Sequence, residues 1–211
     1  MKYKTTAVIL ASGEGSRLKE TTEQLGIPKH LLSIGKTNII NRLVHEFSLC
    51  CDEIICITTK QYFEQFNRNF QQFPFEVKVI CKSDLGFKGD FLATANASNE
   101  HIILTMGDLI FPLGEIDNFV KNTQKYNQKN CAVICLDRGQ IKKFDFRIVM
   151  TSYPKSLLKK IIPLNPESLL SVGSAFIKNY FQGYVTLDLA NTLFNINTNE
   201  SYNEAKTFFK N

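Results

Sequence analysis

The sequence predicts an α/β sandwich with a mostly parallel sheet, and three observations predict it. Short apolar runs rich in Val and Ile alternate with segments whose apolar residues recur at helical spacing, the pattern of strand–helix–strand units. The 211 residues, 44% hydrophobic and 21% charged, suffice for one domain with one large core and are too apolar for a disordered chain. The first apolar run, "TAVILA", passes directly into the small residues "SGEGS", which end a strand in a glycine turn.

Thr6–Ala11 reads as a central strand buried on both faces. Asn38–Cys50 places Ile39, Ile40, Leu43, Val44 and Phe47 at helical spacing. Glu53–Thr59 is a second buried strand, Gln61–Phe70 a helix with repeated aromatics, and Phe75–Cys81 an alternating third strand. Asp90–Ser98 is expected to be helical, His101–Leu109 a fourth strand ending in Gly107-Asp108, Glu115–Tyr126 a helix, and Cys131–Leu136 a fifth strand. The regularity then breaks. Residues 137–170 are expected to mix short strands with charged turns around Pro154 and Pro163, and Ser171–Lys178 (SVGSAFIK) to return as a strand. Phe194–Lys210 closes as a turn and an amphipathic helix, with Thr198 or Asn199 as cap and Glu200 in the first turn.

The formal net charge of +5 suits an anionic small molecule. Nucleic-acid binding would want a basic stripe interleaved with aromatics, which is lacking. Lys142-Lys143 and the lysines from Lys155 to Lys160 read as solvated faces. Six cysteines without a CxxC pair, and three scattered histidines, give little support for zinc. Cys56, Cys81, Cys131 and Cys135 lie in apolar runs and read as small buried hydrophobes. Reduced thiols fit a cytoplasmic protein. The first residues turn polar too soon for a signal peptide, and no apolar run is long enough to span a membrane.

The chemistry concentrates in "LASGEGSRLKETTEQLGIPKHLL", Leu10 to Leu32. A dinucleotide fingerprint would need a third glycine where Leu18 stands, and a Walker loop would need one at His30, five residues before Gly35-Lys36-Thr37. Neither fits. What remains is a loop of small residues whose backbone N–H groups can approach a ligand closely. Arg17 adds a planar fork suited to phosphate oxygens. Lys29 adds a compact second charge on a backbone fixed by Pro28. Asp108 is a carboxylate at the C-terminal end of a predicted parallel strand, where open α/β sheets bind ligands.

"AVILASGEGSRL" followed by "PKHLLSIGKTNIINRLV" resembles the signature of nucleotidyltransferases with a Rossmann-like, glycosyltransferase-A-type fold. That group includes sugar-1-phosphate nucleotidyltransferases, phosphocholine and methylerythritol-phosphate cytidylyltransferases, and guanylyltransferases of molybdenum-cofactor and cobamide synthesis. Ser12 departs from the usual Ala or Gly. The resemblance implies a three-layer α/β/α sandwich with a mixed, mostly parallel central sheet, like the nucleotide-diphospho-sugar transferases. It implies a single domain over 1–211, with a nucleotide-binding half over 1–136 and an acceptor-binding half plus closing helix over 137–211. The implied reaction transfers NMP from an NTP to a phosphorylated acceptor, a sugar 1-phosphate first, and releases pyrophosphate. The alternatives are a non-sugar acceptor (phosphocholine, cobinamide phosphate or molybdopterin) or a non-catalytic nucleotide sensor.

The resemblance also assigns roles. Arg17 and Lys29 would be catalytic. Leu10, Ala11, Ser12, Gly13, Glu14, Gly15 and Ser16 would hold the nucleotide, together with Gly86, Lys88 and Gly89 of "DLGFKGDFLATANA", which is not a clean match to the family's Gly-Thr-Ala form. Gly173 of "SVGSAF" would line the acceptor pocket. Asp108 would bind Mg²⁺ with an asparagine of "FNINT", Asn195 before Asn197. The partners implied are an NTP and a phosphorylated small molecule, with no nucleic acid and no membrane. Oligomeric state, base and acceptor stay open.

Overall fold

Strand β1 (Thr5–Leu10) is buried along its whole length and organises the molecule. It pairs in parallel with β4 (Glu53–Thr58) on one side and β6 (His101–Met106) on the other. The computed structural model describes residues 4–127, 133–137, 147–169, 171–172, 186–188 and 193–209. Beyond β4 lies β5 (Lys78–Cys81); beyond β6 lie β9 (Arg147–Pro154), β8 (Val133–Asp137) and β10 (Thr186–Asp188). The seven-stranded order is β10-β8-β9-β6-β1-β4-β5, and β9 alone runs against the rest. The expected mixed, mostly parallel sheet is therefore observed.

Alternation along each strand sorts side chains into two layers. Ala7, Ile9, Ile54, Cys56 and Ile103 face one way, against α2 (Ile39–Ser48), α3 (Phe63–Phe70) and α5 (Glu115–Asn127) through Phe47, Phe66 and Phe119. Val8, Leu10, Ile55, Ile57, Ile102 and Leu104 face the other way, against α4 (Gly86–Ala93) and α6 (Leu158–Ile161) through Phe91 and Ile161. This is a three-layer sandwich.

A third cluster sits apart, under the C-terminal end of the sheet. It joins Leu18, Leu32, Ile34, Ile39, Ile110, Ile196, Tyr202 and Ala205. The short hairpin β2 (Ser33–Ile34) and β3 (Thr37–Asn38), the pair β7 (Leu109–Ile110) with β11 (Phe194–Asn195), α1 (Lys19–Leu25) and α7 (Asn199–Phe208) surround it. The hydroxyl of Tyr202 donates to the Ser33 carbonyl at 3.0 Å, which fastens α7 to the hairpin.

Several elements differ from expectation. The third strand begins only at Lys78, where pairing with β4 starts, while Phe73 and Phe75 pack on the core outside the ladder. The fourth strand stops at Met106, because Gly107-Asp108 turns the chain out of the main sheet and β7 pairs with β11 instead. The helix expected from Asp90 starts earlier, at Gly86, a residue with φ 58. Where short strands were expected, β9 is one strand of eight residues, followed by helical turns from Lys155 to Leu164. Ser171 and Val172 are helical rather than extended. Ser168 and Ser171 exchange side-chain-to-backbone hydrogen bonds that start a helix. Residues 173–178 of that expected strand lie outside the described residues. Cys56 is buried as expected, but Cys81 is exposed at the end of the edge strand. Cys131 and the Cys135 side chain lie outside what is described.

The closing helix has a reciprocal cap. Thr198 Oγ1 accepts from Ser201 N, and Ser201 Oγ accepts from Thr198 N. Replacing Thr198 by Ala should cost about 1 kcal/mol in urea denaturation; a change below about 0.3 kcal/mol would mean the cap does not hold the end of the chain.

Candidate active site

The C-terminal ends of β1 and β6 lie side by side, and the residues that follow them come together there. Gly107 N donates to the Leu10 carbonyl at 2.8 Å, so the two strand exits are locked together. Leu10, Ala11 and Ser12 are buried, whereas Gly13, Glu14 and Ser16 are exposed and Gly15 is half-buried. Gly15 turns the chain with φ 66 into the short 3-10 turn Ser16–Leu18, which leaves Arg17 exposed. Leu18 anchors that turn in the third core cluster.

Lys29 lies under this loop. Its side chain passes Gly15, where an added Cβ would come within 3.3 Å of the lysine Cβ and Cδ, and reaches Gly13, where one would lie 3.6 Å from Cε. Gly15 is thus needed for close passage of the lysine as well as for turning, while Gly13 meets it only at ordinary van der Waals distance. Lys29 Nζ donates to Asp108 Oδ2 at 2.5 Å and to Asn197 Oδ1 at 2.8 Å. Both charged side chains are only 6% exposed.

Asn197 arrives there through backbone pairing. Asn195 pairs with Leu109 across β11 and β7, and Ile196 N donates to the Asp108 carbonyl at 2.9 Å. Asn197 Nδ2 donates to Asn195 Oδ1. The sequence-predicted Lys29, Asp108, Asn195 and Asn197 are therefore one hydrogen-bonded set, although 168 positions separate Lys29 from Asn197. Asn197, the second choice from sequence, turns its oxygen to the cation, and Asn195 stands behind it.

Two acceptor oxygens of different kinds, a carboxylate and an amide carbonyl, here converge on one positive nitrogen. A hard cation such as Mg²⁺ takes the same donors. Among the described residues no group of three or more His, Cys, Asp or Glu side chains converges. An ion here would therefore need phosphate or water oxygens to complete its shell.

The predicted Gly86, Lys88 and Gly89 lie in the first half of α4, beside the opposite flank of the loop. Gly86 is exposed, Lys88 half-buried and Gly89 buried. A Cβ on Gly89 would fall 2.6 Å from the Ser83 carbonyl oxygen, so this glycine lets the segment before α4 fold tightly onto it. Gly173 lies outside the described residues.

Two site residues escaped the sequence reading. His30 is buried beside the Lys29–Asp108 pair, its ring 6.1 Å from that of Phe66 and close against Gly107. Burial pushes its pKa down to about 3; the Lys29 charge adds to this and Asp108 opposes it. Asp90, in α4, is 5% exposed and accepts a hydrogen bond from Ser12 Oγ at 2.8 Å. Burial raises its carboxyl pKa, against the Ser12 bond and the Lys82 charge. A charged residue amid "GFKGDFLA" was the available signal for Asp90; His30 gave none beyond its place in "PKHLL".

The glycine loop, the buried lysine and the carboxylate at a strand end all lie within the part of the chain that matches a known family. Residues 7–170 match the MobA-like NTP transferase domain. The chain belongs to that family. A curated relative, bifunctional protein GlmU of Methanococcus aeolicus, is 26% identical over 140 residues, 62% of this chain. The match spans 33% of that relative's length. Two solved structures share the fold of this NTP transferase domain. A putative glucose-1-phosphate thymidylyltransferase from Bacillus anthracis superposes with TM-score 0.83 at 19% identity, covering 98% of this chain and 96% of its own. The 4-diphosphocytidyl-2C-methyl-D-erythritol synthase from Anaerococcus prevotii gives 0.76 at 14% identity with 100% of both chains covered. Among the described residues no helix is long and apolar enough to cross a membrane.

His30 makes the stability of this domain sensitive to acid. Unfolded, it takes a proton near pH 6.5; folded, only near about pH 3. Between these values the unfolded state binds more protons, so stability present above about pH 6.5 is lost as pH falls. At about pH 5 this group alone should remove about 2 kcal/mol. Glu46, raised to about 7 by burial, works in the opposite sense. The contribution of His30 is therefore read as a difference: between about pH 7.5 and pH 5, wild type should lose about 2 kcal/mol more than His30→Gln in urea melts. Equal losses would mean His30 is not held neutral.

Proposed function

We propose that this NTP transferase domain moves an NMP group from an NTP to a phosphorylated acceptor, a sugar 1-phosphate, with release of pyrophosphate. The observation that carries the reading is the buried amine of Lys29, held between Asp108 and Asn197 directly beneath the glycine loop. A positive group fixed in a water-poor cleft is what a phosphoryl-type transition state needs most. The sugar 1-phosphate is supported by the thymidylyltransferase neighbour, whose name carries glucose 1-phosphate. A second reading, a cytidylyltransferase with a non-sugar acceptor, is favoured by the full mutual coverage of the diphosphocytidyl-methylerythritol synthase.

In this reading an acceptor phosphate oxygen attacks the α-phosphorus in line. The new P–O bond forms as the bond to the bridging oxygen breaks, and that oxygen leaves with the pyrophosphate. The backbone N–H groups from Ser12 to Ser16 and the exposed guanidinium of Arg17 hold the β- and γ-phosphates. Lys29 neutralises charge at the α-phosphorus and aligns the incoming phosphate. Asp108 and Asn197, with Asn195 steadying the latter, would hold Mg²⁺, which when bound supplies charge neutralisation and orientation of the phosphate oxygens. The nucleotide occupies the half formed by residues 1–136, and the acceptor enters from the half formed by 137–211.

Lys29→Ala should lower turnover roughly 10²–10³-fold, about 3–4 kcal/mol, in a pyrophosphate-release assay run with a panel of NTPs and sugar 1-phosphates. Near-wild-type turnover would remove Lys29 from the chemistry. Excess EDTA should abolish release and added Mg²⁺ restore it; full activity in EDTA would exclude the role of Asp108 as a metal ligand.

A further inference from the structure

The loop has two unlike flanks. On one, Gly13 and Gly15 lie against the Lys29 side chain. On the other, Ser12 donates to Asp90 Oδ2 at 2.8 Å. Asp90 Oδ1 is buried and, among the described residues, has no hydrogen-bond partner. An acceptor left unmet in the interior costs free energy, more so when it carries charge. Such a group, tied through Ser12 to the glycine loop, is explained if a donor meets it in the bound state.

That donor does not come from the triphosphate. A polyanion and a carboxylate repel, and the cationic flank with Lys29 already offers the phosphates a place. The carboxylate flank is left for the other end of the nucleotide. Guanine, cytosine and adenine each present an exocyclic amino group there. Uracil and thymine present carbonyl oxygens on both sides of a single N–H, and these face a carboxylate unfavourably.

We propose that Asp90, steadied by Ser12, reads the base and selects NTPs whose base bears an exocyclic amino group over UTP and dTTP. This rests on the nucleotidyltransferase reading but goes beyond it, because the fold alone does not set the base. A UTP-bound UGPase from Acinetobacter baumannii shares the fold at TM-score 0.75 and 14% identity.

Isothermal titration of GTP, CTP, ATP, UTP and dTTP with Mg²⁺ against wild type and Asp90→Asn tests it. The tightest amino-bearing triphosphate should bind wild type about tenfold or more tightly than UTP or dTTP. Asp90→Asn should narrow that ratio about tenfold, while UTP affinity stays within about threefold. UTP or dTTP as the best ligand of wild type would overturn the proposal, as would a variant that weakens all five equally, since that marks Asp90 as a prop for the loop. If Asp90→Asn does not fold, the wild-type ranking decides alone. Binding of no triphosphate would fail the nucleotide reading itself, whereas binding without the amino preference fails only the role of Asp90.

Discussion

The arrangement depends on one buried ion pair. Lys29 and Asp108 sit almost wholly out of water at 2.5 Å. Two charges removed from water each cost several kcal/mol, and their attraction repays this only with good geometry and further hydrogen bonds. Asn197 supplies one such bond to Lys29. Much of the local architecture can be understood as what is needed to bring these three side chains together. The strand exits of β1 and β6 are tied by Gly107 N to the Leu10 carbonyl, β7 pairs with β11, and α7 is fastened to the hairpin by Tyr202.

The same pair gives the cleft its polarity. Lys29, paired with Asp108, and the exposed Arg17 bring cations to one flank, and Asp90 brings a carboxylate to the other. A nucleotide is itself polar in this sense, with anionic phosphates at one end and a base that carries N–H donors at the other. Gly15 keeps the loop close over Lys29, because a side chain there would press on the lysine.

The fold was legible where one constraint dominates. Buried strands such as β1 and β4 announce themselves as apolar runs, and α2 and α5 by helical spacing, because burial dictates both. Boundaries set by partners far along the chain were not legible. The stop at Met106 follows from β11 pairing with β7 after a turn at Asp108. The late start of β5 follows from the register of β4. In the site, the order of residues in "SGEGSRL" and "PKH" pointed to Lys29 and Arg17, and a strand end pointed to Asp108. The ranking of Asn195 before Asn197 missed that it is Asn197 whose oxygen turns to Lys29, which depends on the β11–β7 pairing. Nor could sequence find Asp90, whose meaning comes from Ser12, 78 positions earlier.

The central claim is that the Lys29–Asp108–Asn197 cluster is the charge centre on which triphosphate and metal meet. A crystal structure of the protein with a non-hydrolysable NTP analogue and Mg²⁺ tests it most directly. A metal ion ligated by Asp108 and Asn197 is expected, with Lys29 Nζ released from Asp108 and turned to the α-phosphate. A nucleotide bound elsewhere, with the Lys29–Asp108 pair intact, would contradict it.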